Sequence, residues 1–339
     1  MQIPQYWAQV RLRHEIRARN SVTVQRWGWS DISESNAQEH AQKRAEQALD
    51  AAINAPKEDL QYYRFPRMEW RSEYGLDGVT PIREEVLERR GNTVKTRNSY
   101  GAHCLNIEDV GIADVDYPSA TKLASPPWFA SLMLVAALVY ISSQPAVWNM
   151  RMWGFILVTA MLGWYCLHHM QRWIKARAER AQAVPPQQAA LADIEQFSRQ
   201  HPDWGLRVYQ TPKGLRVIVT HMPMTSNAPE VRTLFDELKV DPVYSLLCDK
   251  QQCFRARVTG KPWRMGLSGL SSMDRRWPID AEHAASRAQW SKEYDQEAEK
   301  YAACHYLTQL GNPSVCAQAQ EFIHWHDAAC KAQSDLTLA

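Results

Sequence analysis

The sequence predicts an α+β protein: a mixed or antiparallel sheet with packed helices, interrupted by a two-helix transmembrane hairpin. Short segments with the alternation typical of strands occur on both sides of the chain's middle, and segments with helical spacing of apolar residues separate them. Between the two sets of strands, residues 123–150 and 152–171 contain no Asp, Glu, Lys or Arg. The 339 residues are therefore expected to hold one domain with an insertion.

Composition limits the possible functions. Apolar residues make up 45% of the chain and charged residues 22%, which excludes a transporter with many membrane spans. The net charge of +2 gives no general attraction to nucleic acid, so any basic site must be local. Seven cysteines without a C-x-x-C pair indicate reduced thiols rather than a disulfide framework.

The first part of the predicted domain is residues 1–122. Alternation predicts strands at Tyr6–Leu12 and Ser21–Trp27. A capping box at Ser35 begins a helix with a stripe of alanines, which ends before Pro56. Residues 56–81 mix aromatic side chains with arginines, and a surface loop is favoured there over a base-stacking surface.

A short helix is predicted at Ile82–Arg90, ended by Gly91. Strands are then predicted at Thr93–Arg97, His103–Ile107 and Val110–Asp116.

The predicted transmembrane hairpin is residues 123–175, with helices at about 127–147 and 152–171. Its basic flanks lie outside the apolar runs: Lys122, Arg172, Lys175, Arg177 and Arg180. By the positive-inside tendency both termini are cytoplasmic, which predicts a two-pass protein of the inner membrane with the lipid bilayer as partner. A re-entrant or interfacial hairpin and a buried core hairpin are the alternatives.

The third part, residues 176–339, is predicted to complete the cytoplasmic domain and to end in helices. Gly205–Gln210 and Leu215–His221 flank the turn Thr211-Pro212-Lys213-Gly214, a strong hairpin signal. The other predicted elements are helices at 186–200, 229–238, 242–249, 281–310 and 315–331, and a strand at 253–258.

Two acidic residues at a strand end are the candidate metal ligands. Asp114 and Asp116 lie two apart on a predicted strand, so their carboxylates share a face and can converge on one hard cation such as Mg²⁺. A solvated strand end is the alternative.

Basic residues in the third part are candidates for phosphate binding. They occupy the hairpin, the following strand and the Gly-Lys-Pro-Trp-Arg segment: Lys213, Arg216, Arg255, Arg257, Lys261 and Arg264. Phe254, Ala256 and Val258 alternate with Arg255 and Arg257 and are expected to face the core. A solvated strand face is the alternative.

The order of these motifs resembles the archaeo-eukaryotic primase and primase-polymerase superfamily over about 111–116 and 205–264. That resemblance implies an RRM-like sheet and Mg²⁺- or Mn²⁺-dependent nucleotidyl transfer, with Asp114, Asp116 and His221 as catalytic residues. The family has a histidine at the position nearest Val217, so His221 is a displaced candidate, and Asp249 is a candidate third acid. The WGWS, GLRVYQTPKGLRV and FRARVTGKPWR segments are also similar to a group of bacterial membrane-associated proteins, a likeness that supplies no activity.

Cysteines and histidines near the C-terminus raise the question of zinc: Cys304, His305, Cys316, His324, His326 and Cys330. Their spacing fits no compact zinc motif, so helix packing is favoured. The sequence as a whole favours a membrane-anchored binding or structural module, with a primase-like, metal-dependent nucleotide-processing domain as the alternative. Nucleotide or nucleic acid is the corresponding alternative partner.

Overall fold

The computed structural model describes residues 1–17, 20–54, 69, 80–117, 132, 136, 139, 140, 150–182 and 184–339. Two compact units divide the chain: Met1–Tyr117 with Ala190–Ala339, and Pro118–Ala189. The described strands are β1 (Tyr6–Arg17), β2 (Asn20–Ser30), β3 (Glu85–Arg90), β4 (Thr93–Arg97), β5 (His103–Ile107), β6 (Ile112–Asp116), β7 (Gly205–Thr211), β8 (Gly214–Val219), β9 (Phe254–Arg257) and β10 (His305–Gly311). The described helices are α1 (Glu34–Asn54), α2 (Met150–Gln182), α3 (Pro186–Gln200), α4 (Pro229–Glu237), α5 (Pro242–Gln251), α6 (Ala284–Ala298) and α7 (Ala317–Cys330).

The strands form antiparallel sheets, in agreement with the α+β part of the prediction. One four-stranded sheet has the order β10-β7-β8-β6, a second has the order β3-β4-β5-β9, and β1 pairs with β2 in a separate ribbon. Strands from before and after the insertion pair directly, β6 with β8 and β5 with β9. The second set of strands therefore completes sheets that the first set begins.

Helix α1 packs on the β1–β2 ribbon through small side chains. Its buried residues recur at helical spacing: Ala37, Ala41, Ala45, Ala48 and Ala52. Alanines allow a close approach, and a Cβ added at Gly28 in β2 would overlap the backbone of Ala37 and Ala41. The amide of Asn36 donates to the Ser33 hydroxyl at 3.2 Å, so the cap lies at Ser33 rather than at the predicted Ser35.

The main core lies between the sheets and the helices that cover them. Helix α3 contributes Ile194 and Phe197, α4 contributes Leu234, and α7 contributes Phe322; all are almost fully buried. Every residue of β8 is buried, as expected for a central strand. This packing fixes the ends of β6, β8 and β9, where the candidate site lies.

Two predicted helices are wrong in whole or in part. Glu85–Arg90 is strand β3, paired with β4 across a turn at Gly91, whose φ is +50°. A left-handed glycine ends helices and also closes hairpins, so Gly91 does not distinguish the two. The predicted helix at 281–310 ends at Ala298, and His305–Gly311 is an edge strand beside β7.

The predicted transmembrane hairpin is also wrong. None of the helices within the described part of the chain is long and apolar enough to cross a membrane, which overturns the two-pass, inner-membrane assignment. Helix α2 has 33 residues, but His168 and His169 follow Leu167, and charged residues follow these. The first predicted helix, 127–147, lies outside the described residues except for four positions, as do most of residues 56–81.

Candidate functional site

A cavity of about 390 Å³ lies where the end of β6, the β7–β8 turn, α5 and β9 meet. We call it the basic pocket. Its charged lining residues are Asp114, Asp116, Lys213, Arg216, Arg255, Arg257, Lys261 and Arg264. The structure thus brings together all the residues that the sequence predicted for metal and phosphate binding.

The β6–β8 pairing positions one side of the pocket. Asp114 pairs with Arg216 and Asp116 pairs with Gly214, so both carboxylates lie next to the β7–β8 turn. The Tyr117 amide donates to the carbonyl of Lys213 at 2.8 Å and holds this turn. A Cβ at Gly214 would overlap the backbone of Val115, so the close approach of the two strands requires glycine there.

Strand β9 and helix α5 form the opposite side. Phe254 and Ala256 are fully buried, while Arg255 and Arg257 alternate with them and line the pocket. The Tyr244 hydroxyl of α5 lies 3.1 Å from the Ile112 carbonyl and 3.3 Å from the Arg255 carbonyl, which ties α5 to β6 and β9.

Two of the arginines are held by carboxylates. Arg216, only 3% exposed, donates to both oxygens of Asp114 at 2.8 and 3.2 Å. Burial lowers the pKa of Arg216, but the Asp114 charge outweighs burial and the net shift is upward. Arg255 donates to both oxygens of buried Glu84 at 2.5 and 2.6 Å. Both arginines therefore serve as internal counterions in this structure.

Four cations remain in the pocket: Lys213, Arg257, Lys261 and Arg264. In the part of the chain that the structure describes, none of them forms an ion pair with an Asp or Glu side chain. Arg257 donates to the carbonyl of Thr259 at 2.5 Å and to the main-chain oxygen of Ala339, the last residue in the sequence, at 3.3 Å. The Lys261 ammonium lies 5.9 Å and 5.5 Å from the ring centres of Tyr100 and Trp263.

Burial and mutual repulsion both shift pKa values in the pocket. Burial lowers the pKa of Lys261, and the charges of Arg257, Arg264 and Lys213 lower it further. Burial and Arg257 also lower the pKa of Arg264. Burial raises the pKa of Asp116, with a further contribution from Asp114 and then Asp241. A bound anion would relieve the repulsion among the cations.

Two other predicted residues lie elsewhere. His221 lies two residues beyond the end of β8, at the end opposite to Gly214, the residue that pairs with Asp116. Its Nδ1 accepts from the Gly205 amide at 3.1 Å, and its ring packs on Trp204. Asp249 is exposed on α5 and does not line the basic pocket, to which this helix contributes Tyr244, Leu247 and Gln251.

No family model, curated protein or solved structure matches this chain. The resemblances to the primase superfamily and to bacterial membrane-associated proteins therefore stay predictions.

Sequence reasoning missed the neutral and supporting residues of the pocket. Tyr100 reaches it from the loop after β4, where Gly101 takes a φ of +96°. Glu84 holds Arg255 from a segment predicted as helix. No local motif marks either residue, because their positions depend on the pairing of β4, β5 and β9.

Three of the six C-terminal cysteines and histidines also converge. Cys304, His326 and Cys330 are fully buried, and their donor atoms lie within 4.8 Å of one another. His305 instead contacts the carbonyl of Leu336 at 2.8 Å.

Proposed function

We propose that this chain is a binding module for a phosphorylated small molecule, which it holds in the basic pocket. The observation that carries the proposal is the convergence of Lys213, Arg257, Lys261 and Arg264 without Asp or Glu side-chain partners among the described residues. Asp116 supplies negative charge that opposes these four cations, because the charge of Asp114 is already paired with Arg216.

The chemistry of the lining suits a phosphate group. Guanidinium groups donate in a planar fork that matches phosphate oxygens, and lysines add mobile charges. A volume of about 390 Å³ is within the range of small-molecule sites. Asp116 can accept hydrogen bonds from a hydroxyl or amino group of the same ligand, which favours a phosphorylated metabolite over free phosphate.

The proposal is tested by calorimetric titration of the full chain with pyrophosphate. We expect binding that weakens at least about tenfold in Lys261→Ala with Arg264→Ala, because each lost charge-assisted contact contributes on the order of 1–2 kcal/mol. Arg199→Ala with Lys292→Ala is the matched control, since it removes the same charge from exposed positions. Absence of binding to the wild-type chain, or equal weakening in both double variants, would contradict the proposal.

Metal-dependent nucleotidyl transfer is the second candidate. It is favoured by the presence of Asp114 and Asp116 in the same pocket as the cations. A divalent ion would have to bind Asp114 alongside Arg216, which already occupies both of its oxygens.

Pyrophosphate release from nucleoside triphosphates separates the two candidates. If the chain is a nucleotidyltransferase, pyrophosphate release depends on Mg²⁺ or Mn²⁺ and disappears in Asp116→Ala. The enzymatic candidate is excluded if the chain binds the triphosphate without releasing pyrophosphate and with the same affinity in the presence and absence of the metal ion. The binding module is then the candidate that stands.

A further inference from the structure

A second cluster, separate from the lining of the basic pocket, has the chemistry of a metal site. Cys304 immediately precedes β10, while His326 and Cys330 are one helical turn apart on α7. The Cys304 and Cys330 sulfurs lie 3.9 and 3.5 Å from Nε2 of His326. All three side chains are fully buried.

The other ring nitrogen fixes the orientation of His326. Its Nδ1 lies 3.0 Å from a carboxylate oxygen of Asp327, and Asp327 accepts from Arg207 at 2.8 Å and from the Tyr209 hydroxyl at 2.7 Å. With a proton on Nδ1, Nε2 carries the lone pair that a metal ion can bind. Histidines that bind metals are commonly held by a carboxylate in this manner.

We propose that Cys304, His326 and Cys330 bind one thiophilic d¹⁰ metal ion, zinc(II) or copper(I). Bond lengths of about 2.3 Å to sulfur and about 2.05 Å to nitrogen place S and N about 3.5 Å apart in a tetrahedral site. The two observed S–N separations are close to this value. Helix packing accounts for the burial of the three residues, but not for the convergence of three donors on one point.

Binding is a ligand exchange without redox change. Each thiol that coordinates loses its proton to solvent, so two protons leave as two metal–sulfur bonds and one metal–nitrogen bond form.

Arg216 is the group that the ion displaces. Its Nη1 lies 3.3 Å from Nε2 of His326 and also donates to the carbonyl of Arg257 at 2.9 Å. Loss of the histidine contact leaves Arg216 with Asp114 and this carbonyl. With zinc(II), the two thiolates neutralise the charge of the ion. With copper(I), the site keeps one net negative charge, which lies next to the Arg216 guanidinium.

The test is elemental analysis of the full chain, purified without chelator and without a histidine tag. We expect about one zinc or copper per chain in the wild type and in Cys253→Ser, and a loss of most metal in Cys330→Ser. Cys253 is the matched control because it is also buried but lies outside the cluster. Asp327→Asn is expected to lower the affinity for the metal ion by about 10- to 100-fold.

A second measurement does not depend on the folding of a variant. Wild-type chain stripped by a chelator is titrated with Co²⁺, and thiolate coordination is read from the sulfur-to-cobalt charge-transfer absorption. The proposal is overturned if stripped protein takes up neither cobalt, zinc nor copper(I). It is equally overturned by an intact mass showing that Cys304 and Cys330 form a disulfide in protein purified under reducing conditions.

Discussion

Arg216 connects the two clusters through one guanidinium. It binds Asp114 on the side of the basic pocket and lies beside His326 on the other side. The pair is asymmetric, because the Arg216 side chain is 3% exposed and that of Asp114 is 37% exposed. Loss of the Asp114 carboxylate therefore leaves the buried positive charge of Arg216 without its partner. Loss of the Arg216 guanidinium leaves the charge of Asp114, which is partly solvated.

This asymmetry predicts an order of stabilities. Asp114→Ala should cost about 3–4 kcal/mol of unfolding free energy, and Arg216→Met about 2 kcal/mol. The double variant should be more stable than Asp114→Ala alone, because it removes the buried charge together with its partner. Urea unfolding followed by tryptophan fluorescence measures all three. A larger cost for Arg216→Met than for Asp114→Ala would contradict the argument.

Asp116 makes anion binding depend on pH. Burial and Asp114 raise its pKa, so on acidification Asp116 becomes neutral before an ordinary aspartate does. The protonated side chain no longer repels an anion, and affinity should rise as pH falls from about 7 to about 4. Calorimetric titration with sulfate is suitable because its charge stays constant over this range.

Asp116→Asn supplies the control for this pH dependence. The variant should bind sulfate at pH 7 as tightly as the wild type does at low pH, with a much flatter profile. A variant that retains the full pH dependence would assign the effect to other groups.

At the scale of elements, local patterns predicted several strands correctly. The predicted bounds of β4 and β5 agree with the structure, and the turn at Pro212-Lys213 joins β7 and β8 as predicted. The predicted helix at Ile82–Arg90 failed because pairing with β4, which is not a local property, selects the strand. The edge strand β10 was missed for the same reason, since its partner β7 lies about a hundred residues earlier.

Docking of α1 on its ribbon depends on the absence of a side chain at Gly28. Gly28→Ala should cost about 2–3 kcal/mol or separate helix from ribbon, because the added Cβ meets backbone atoms that cannot rotate away. Gly269→Ala is the control, since its nearest new contact is the end of the Arg275 side chain at 3.5 Å. Thermal unfolding should show a lower midpoint for the first variant and little change for the second.

At the scale of the whole molecule, the sequence correctly predicted strands on both sides of the inserted segment, residues 118–189. In the structure these strands pair across it, β6 with β8 and β5 with β9.

The transmembrane prediction failed because absence of charge is not the same as high hydropathy. Polar, small or amphipathic residues interrupt the second run: Trp153, Gly154, Thr159, Gly163, Trp164, Tyr165, His168 and His169. The charged residues of the basic pocket could be predicted from the sequence, but their ion pairs could not. The Arg255 pair depends on Glu84, and the Arg216 pair with Asp114 depends on the β6–β8 register.

The main core and the basic pocket consist of residues from Met1–Tyr117 and Ala190–Ala339. A chain with residues 118–184 replaced by a flexible Gly/Ser linker should therefore keep both four-stranded sheets and bind pyrophosphate with unchanged affinity. A linker of about 20 residues spans about 25 Å on average and leaves α3 intact. Circular dichroism should lose helical signal from α2 but retain a cooperative unfolding transition. A variant that unfolds cooperatively but no longer binds pyrophosphate would show that the insertion contributes to the site, and one that does not fold would show that the insertion contributes to the core.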